Sequence, residues 1–144
     1  MKIDIIAVGS LKKGALYDAL QMYLKRMQWN VNIIEIKESQ KNESELILAK
    51  TNPSAKIIAL DERGTSLPSL KFANKIKEFQ NSGASHIQFI IGGADGLSDQ
   101  IRTRANLLLS FGKQTWPHML ARVMLIEQIY RTQQILSGHP YHRE

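Results

Sequence analysis

Ile87-Gln88-Phe89-Ile90-Ile91-Gly92-Gly93-Ala94-Asp95-Gly96 is the stretch on which the fold turns. Its first half is almost unbroken β-branched and aromatic residues, as expected of a strand covered on both faces. Its second half is a glycine-rich break, and a helical pattern follows from about Ser98 to Asn106. Toward the N-terminus the same unit recurs. Lys56-Ile57-Ile58-Ala59-Leu60 is a strand halted by Asp61-Glu62-Arg63-Gly64, Val31–Ile36 is another, and Ile3–Val8 is a third that ends at Gly9. Leu16, Leu20, Tyr23, Leu24 and Met27 recur at helical spacing between the first two of these, and Ser44–Lys50 allows a short helix. Leu70, Ala73, Ile76, Lys77 and Phe79 predict another helix, ended near Ser82-Gly83. Toward the C-terminus come a short strand, Leu107-Leu108-Leu109, a loop over Phe111–His118 and a helix from Met119 to Leu136. Strands alternating with helices predict one α/β domain over residues 1–144 with a mainly parallel sheet.

Composition narrows the function. With a hydrophobic share of 43% and a charged share of 22%, the chain has the balance of a soluble globular protein. No apolar run reaches the ~18–20 residues of a membrane span. Ile5-Ile6-Ala7-Val8 is too short for a secretory core, so a cytoplasmic protein is expected. The absence of cysteine excludes disulfides, thiolate metal sites and a cysteine nucleophile. The four histidines form no recognisable ligand spacing, so no metal is expected. A net charge of +6 makes a polyanion a plausible partner. Residues 1–72 carry 11 Lys/Arg against 8 Asp/Glu, and residues 73–144 carry 8 against 5. The excess is +3 in each half, so a nucleic-acid surface would belong to the folded domain and not to a basic arm.

The last helix is apolar around more than one stripe, from Met119 through Leu125, Ile126 and Ile129 to Leu136. One face should pack on the sheet and the other form a two-fold dimer contact, with Leu125 and Ile129 expected in it. Three motifs bear on chemistry. Gly9-Ser10-Leu11-Lys12-Lys13-Gly14 imitates a phosphate loop but continues Ala15-Leu16 where Lys and Ser/Thr are needed, so it reads as a turn. Gly92-Gly93-Ala94-Asp95-Gly96 lacks the dinucleotide spacing, yet its glycines let a ligand approach the backbone at the carboxyl end of a strand. Phe111–His118 flanks small and polar residues with two aromatics, which suits a flat purine ring.

The chain ends His139-Pro140-Tyr141-His142-Arg143-Glu144, a terminus crowded with stacking and proton-handling groups. Together with Ala7-Val8-Gly9, Ile90–Gly96, Thr115-Trp116-Pro117-His118, Arg122-Val123 and Leu125–Arg131, this block resembles the ribosomal RNA large subunit methyltransferase H family of the SPOUT, or α/β-knot, superfamily. The resemblance implies S-adenosyl-L-methionine as cofactor and methylation of N3 of a pseudouridine in a 23S ribosomal RNA stem-loop at the subunit interface. It implies a trefoil knot at the C-terminal end of the fold. It also implies that Leu60, Gly92 and the loop Phe111, Gly112, Lys113, Gln114, Thr115 and Trp116 hold the cofactor.

Methyl transfer from a sulfonium is an in-line displacement that rests mostly on positioning. The target N3 must lose a proton, and His118, His139 and His142 are the candidate bases, unless water takes the proton. Arg122, Arg131 and Arg143 are candidates to grip RNA phosphate or stack on a base, and Tyr141 to stack on the target base. In a homodimer the tail of one subunit would complete the cofactor pocket of the other, while adding little to the core. Ribosomal RNA or the assembled ribosome is the expected partner. A SPOUT enzyme acting on transfer RNA and a non-catalytic basic RNA-binding dimer are the alternatives.

Overall fold

The computed structural model describes residues 1–39 and 41–143. Five strands, β1 (Lys2–Val8), β2 (Asn30–Ile36), β3 (Lys56–Ser66), β4 (His86–Ile91) and β5 (Leu107–Ser110), form one sheet in the order β2-β1-β4-β3-β5, and every pairing is parallel. The helices are α1 (Ala15–Arg26), α2 (Glu43–Ala49), α3 (Ser69–Asn81), α4 (Asp99–Arg104) and α5 (His118–Leu136).

The continuous apolar runs follow from burial on both faces. On β1, Ile3, Ile5 and Ala7 face a core shared with Leu20 of α1, Phe72 and Ile76 of α3, and Leu125, Ile126 and Ile129 of α5. Ile6 and Val8 point the other way, into a second core with Ile47 of α2 and Ile101 of α4. Helices α1, α3 and α5 therefore cover one face, and α2 and α4 the other. The polar interruption in β1, Asp4, is satisfied where it is buried: its carboxylate accepts from Gln88 Nε2 at 2.9 Å and lies 2.6 Å from His86 Nε2.

Two expectations are corrected. Strand β3 does not end at Leu60. Its ladder with β5 resumes after a register shift, with Leu60 and then Thr65 both opposite Leu109. Gly64 makes this possible, because a Cβ there would stand 2.5 Å from the Leu108 carbonyl oxygen. Second, Leu125 (0% exposed) and Ile129 (1%) lie in the core of the single chain, so they are not available to a partner. The partly buried face of α5 instead presents Val123, Met124, Glu127 and Gln128 to a groove beside Leu67, Pro68 and Phe72.

Helix α5 ends in a compact cap. Gly138 takes a positive φ of 79°, its N–H donates to the Ile135 carbonyl at 3.1 Å, and the His139 N–H donates to the Gln134 carbonyl at 2.9 Å. This 6→1 and 5→2 pair closes the last turn and fixes the direction in which the chain leaves it.

Candidate active site

Where the strands of a parallel sheet end, loops of different origin converge, and here they enclose a cleft of about 720 Å³. Leu60 and Asp61 come from β3, Ile91, Gly92 and Gly93 from the end of β4, Leu109 from β5, and Ala121 from the first turns of α5. Phe111, Gly112, Gln114, Thr115, Trp116, Pro117 and His118 supply a second wall, and the Ala94–Leu97 turn and Arg102 complete the lining. Residues expected from the sequence to hold a cofactor thus meet from three segments. Lys113 belongs to the same loop but is exposed and outside the cleft wall.

The two loops are shaped by local physics. After β4, the Gly96 N–H donates to the Gly93 carbonyl at 3.1 Å and Gly96 takes φ 75°, which folds the segment into a tight turn. A Cβ at Gly92 would stand 2.8 Å from Leu97 Cδ2 and 3.0 Å from the Gly96 carbonyl oxygen, so only glycine fits without displacing this turn. After β5, Ser110 Oγ accepts from the Gly112 N–H at 3.1 Å and donates to the Gly112 carbonyl at 2.9 Å. Trp116 Nε1 donates to the Phe111 carbonyl at 3.2 Å, closing the loop while 39% of the tryptophan stays exposed.

One wall is ionic. Asp61 accepts from Arg102 Nε and from the Arg63 N–H, and Arg102 Nη1 also reaches Asp99 at 2.8 Å. Burial works to raise the Asp61 carboxyl, but the Arg102 guanidinium and the Arg63 N–H together hold it below the usual carboxylate range. Neither Asp61 nor Arg102 was singled out from the sequence. The i,i+3 spacing of Asp99 and Arg102 was the available signal, and it marks many ordinary helices.

The basic and aromatic candidates divide. His118 lines the cleft, with Nε2 4.0 Å from Glu38 Oε1. Arg122 does not face solvent and cannot reach RNA as expected. It is 1% exposed, donates to Glu35 Oε2 at 2.7 Å, and reaches the Val8 and Gly9 carbonyls at 3.3 and 3.1 Å. Arg131 and Tyr141 are also engaged within the chain. Arg131 Nε donates to Glu127 Oε1 at 2.9 Å, and its guanidinium lies 4.8 Å from the Tyr141 ring centroid. Tyr141 packs edge-on to Tyr130 at 4.9 Å and donates to Glu127 Oε1 at 3.3 Å, so its ring is not free to stack on a base. Burial and the Glu127 charge push the Tyr141 phenol up to about 12. His142 Nδ1 is 3.0 Å from Arg131 Nη1, while His139 and Arg143 are exposed. None of residues 139–143 lines the cleft of its own chain.

Among the described residues, no group of three or more His, Asp or Glu side chains is arranged to hold a metal. The cleft lies at the carboxyl edge of a parallel sheet, the place where ligands of open α/β folds bind. A family model described as "Predicted SPOUT methyltransferase" matches residues 1–142. A protein of Rhodospirillum centenum named ribosomal RNA large subunit methyltransferase H is 45% identical over 99% of both chains. One of the same name from Zymomonas mobilis is 44% identical over 100% of this chain and 99% of its own length. The chain therefore belongs to the SPOUT methyltransferases, in the ribosomal RNA large subunit methyltransferase H family. A probable methylase family protein of Haemophilus influenzae shares the fold at a TM-score of 0.60 and 12% identity, covering 99% of this chain and 70% of that one.

Proposed function

We propose that this protein is an S-adenosylmethionine-dependent methyltransferase of large-subunit ribosomal RNA. In this reading it modifies N3 of a pseudouridine in 23S rRNA on the assembled ribosome, and works as a cytoplasmic homodimer. The observation that carries the reading is the convergence of Leu60, Gly92 and the 111–116 loop on one cleft. Its volume lies within the ~300–1,000 Å³ of small-molecule sites. The lining suits an adenosyl group: Leu60, Ile91 and Leu109 are apolar, Phe111 and Trp116 are aromatic, and Gly92 and Gly93 bring backbone to the cleft wall. The superfamily's trefoil knot at the C-terminal end is part of the same reading.

The cofactor, when bound, supplies an electrophilic methyl group on a sulfonium. The chain's own task is to hold the adenosyl group, orient the target base, exclude water and take the N3 proton. Of the candidate bases, His118 lines the cleft of its own chain, and His139 and His142 would enter from the partner's tail. Tyr141 is not a base near neutrality, because its phenol stays protonated until about pH 12. Residues 139–143 follow the C-terminal end of α5, and Tyr141 and His142 fold back onto Glu127 and Arg131, roughly 14–20 Å along the helix from His118 at ~1.5 Å per residue. This separation supports a site completed by the partner's tail, with the α5 groove at Val123 and Met124 as the dimer face.

Two measurements test the reading. Calorimetry should detect S-adenosylmethionine binding, and mass spectrometry should find the pseudouridine methyl group restored on ribosomes from a deletion strain. Absence of cofactor binding would leave a non-catalytic RNA-binding dimer, and a methyl group on transfer RNA alone would leave the transfer RNA enzyme. For the shared site, a Gly92→Val subunit mixed with one lacking residues 139–144 should regain about a quarter of wild-type turnover. Half the randomly mixed dimers would be mixed, each with one complete site of two. No recovery from two inactive parents would exclude exchange of tails.

A further inference from the structure

We propose that the β1–α1 loop, Ser10–Gly14, is a preset grip for the RNA backbone, with Lys12 and Lys13 contacting phosphodiesters beside the cleft. The inference rests on the ribosomal RNA methyltransferase reading and adds a substrate contact to it. Three observations carry it.

Position comes first. The loop leaves the carboxyl end of β1, at the same edge of the sheet as the cleft. Val8 Cγ1 lies 3.1 Å from where a Gly93 Cβ would be, and His118 Nε2 lies 3.5 Å from where a Gly9 Cβ would be. Both Gly93 and His118 line the cleft. A strand of RNA presenting a base to the cleft therefore passes within reach of this loop.

Second, the loop's root is held far more firmly than a reversal of chain direction requires. Buried Arg122 clamps the Val8 and Gly9 carbonyls and binds Glu35 Oε2, and that same oxygen accepts the Leu11 N–H at 2.7 Å. The Gly9 N–H donates to the Ile36 carbonyl at 2.8 Å, tying the loop to β2. Burying a guanidinium is costly, and here its Nε has no hydrogen-bond partner among the described residues, so the fold accepts a real penalty to fix this corner. Glu35 takes part through Oε2 while its side chain stays 40% exposed: burial opposes its ionisation, yet the Leu11 N–H and Arg122 keep its carboxyl below the ordinary range. Pre-positioning of a contact surface is the return on such an arrangement.

Third, the charge at the tip is unspent. Lys12 and Lys13 are exposed, and neither makes an ion pair among the described residues. Lys37, also exposed, follows Ile36 at the neighbouring exit of β2. Ala15-Leu16 in place of Lys-Ser/Thr removes the ligands for a bound nucleotide triphosphate. Two lysines on an open, rigid loop suit a polymer's phosphates crossing the surface, since point charges on flexible stems need no enclosing wall.

The test uses the Lys12→Gln/Lys13→Gln double variant and assembled ribosomes from a deletion strain, with binding and single-turnover methylation measured across salt. The variant should raise the KM for ribosomes about tenfold, and its log-affinity against log-salt slope should be shallower by roughly 1.4, two contacts at about 0.7 each. Its affinity for S-adenosylhomocysteine should match wild type, and Lys12→Arg/Lys13→Arg should restore the slope. If wild type binds and methylates the ribosomes while the double variant keeps the same KM and slope, the grip is refuted and the function stands. If wild type neither binds nor methylates them, the function reading falls and the grip with it.

Discussion

At its N-terminus α5 delivers His118 to a cleft that one chain encloses, whereas beyond its C-terminus the chain carries polar groups engaged with the helix itself. The first end is fixed by the sheet: β4 and β5 stop at the cleft, β3 runs along it at Leu60–Arg63, and Arg122 pins the adjacent end of β1. The second is held by side-chain contacts, the Tyr130–Tyr141 pair and the Arg131–Glu127 bridge. The contrast teaches that the cleft is built into the fold, while the tail is added to it and can be removed separately.

Removing the tail should therefore divide the two properties most sharply. Deleting residues 139–144 should lower single-turnover methylation by ~10²–10⁴, the worth of a lost proton-transfer group, or more if RNA capture also fails. Affinity for S-adenosylhomocysteine should be unchanged. The melting temperature should fall by a few degrees, because an aromatic pair worth about 0.5–1.5 kcal/mol goes with the tail. Near-normal turnover by the truncated protein would erase the contrast.

The converse substitution attacks the other end. Gly92→Val puts a branched side chain against Leu97 Cδ2 and the Gly96 carbonyl. Overpacking of this kind costs about 1–3 kcal/mol, so cofactor affinity should fall roughly ten- to hundredfold. Circular dichroism should show the fold retained and the tail contacts untouched. Wild-type affinity in calorimetry would take Gly92 out of the site.

The smallest effect probes how the tail is seated. Tyr141→Phe keeps the edge-on ring pair but loses the 3.3 Å bond to Glu127, so it should cost no more than about 1 kcal/mol. The phenol's raised value carries a sign that can be checked. The folded protein favours the neutral form, so this contribution is intact below the ordinary value of 10.0 and is lost as pH rises toward about 12. Wild type should lose stability across that window more steeply than Tyr141→Phe, measured by denaturant unfolding at each pH.

Much of the fold was legible because parallel strands buried on both faces leave unbroken apolar runs, as in β1 and β4. The glycine turn after β4 and the 111–118 loop were legible because breaks after such strands are where ligands collect. What misled was local polarity without its spatial partner. Asp61–Gly64 has the composition of a turn, yet Gly64's missing side chain lets β3 close onto β5 again. Arg122 looked like a surface cation, although Arg122, Leu125, Ile126 and Ile129 follow the i, i+3, i+4, i+7 spacing of one helix face. That spacing places the arginine with the core, and the same reading would have withheld Leu125 and Ile129 from a dimer contact. Its carboxylate partner, Glu35, lies on β2, 87 residues away, and no local pattern joins the two.

The cap around Gly138 has a consequence for how such a protein diversifies. Two backbone hydrogen bonds and one left-handed residue set the exit of the last helix, with no contribution from the sheet. Everything after Gly138 is in effect a cassette joined through a self-sufficient connector. Its sequence can be exchanged or lengthened while the cleft keeps its shape. Grafting at this single joint is thus the natural place to redirect the protein by design.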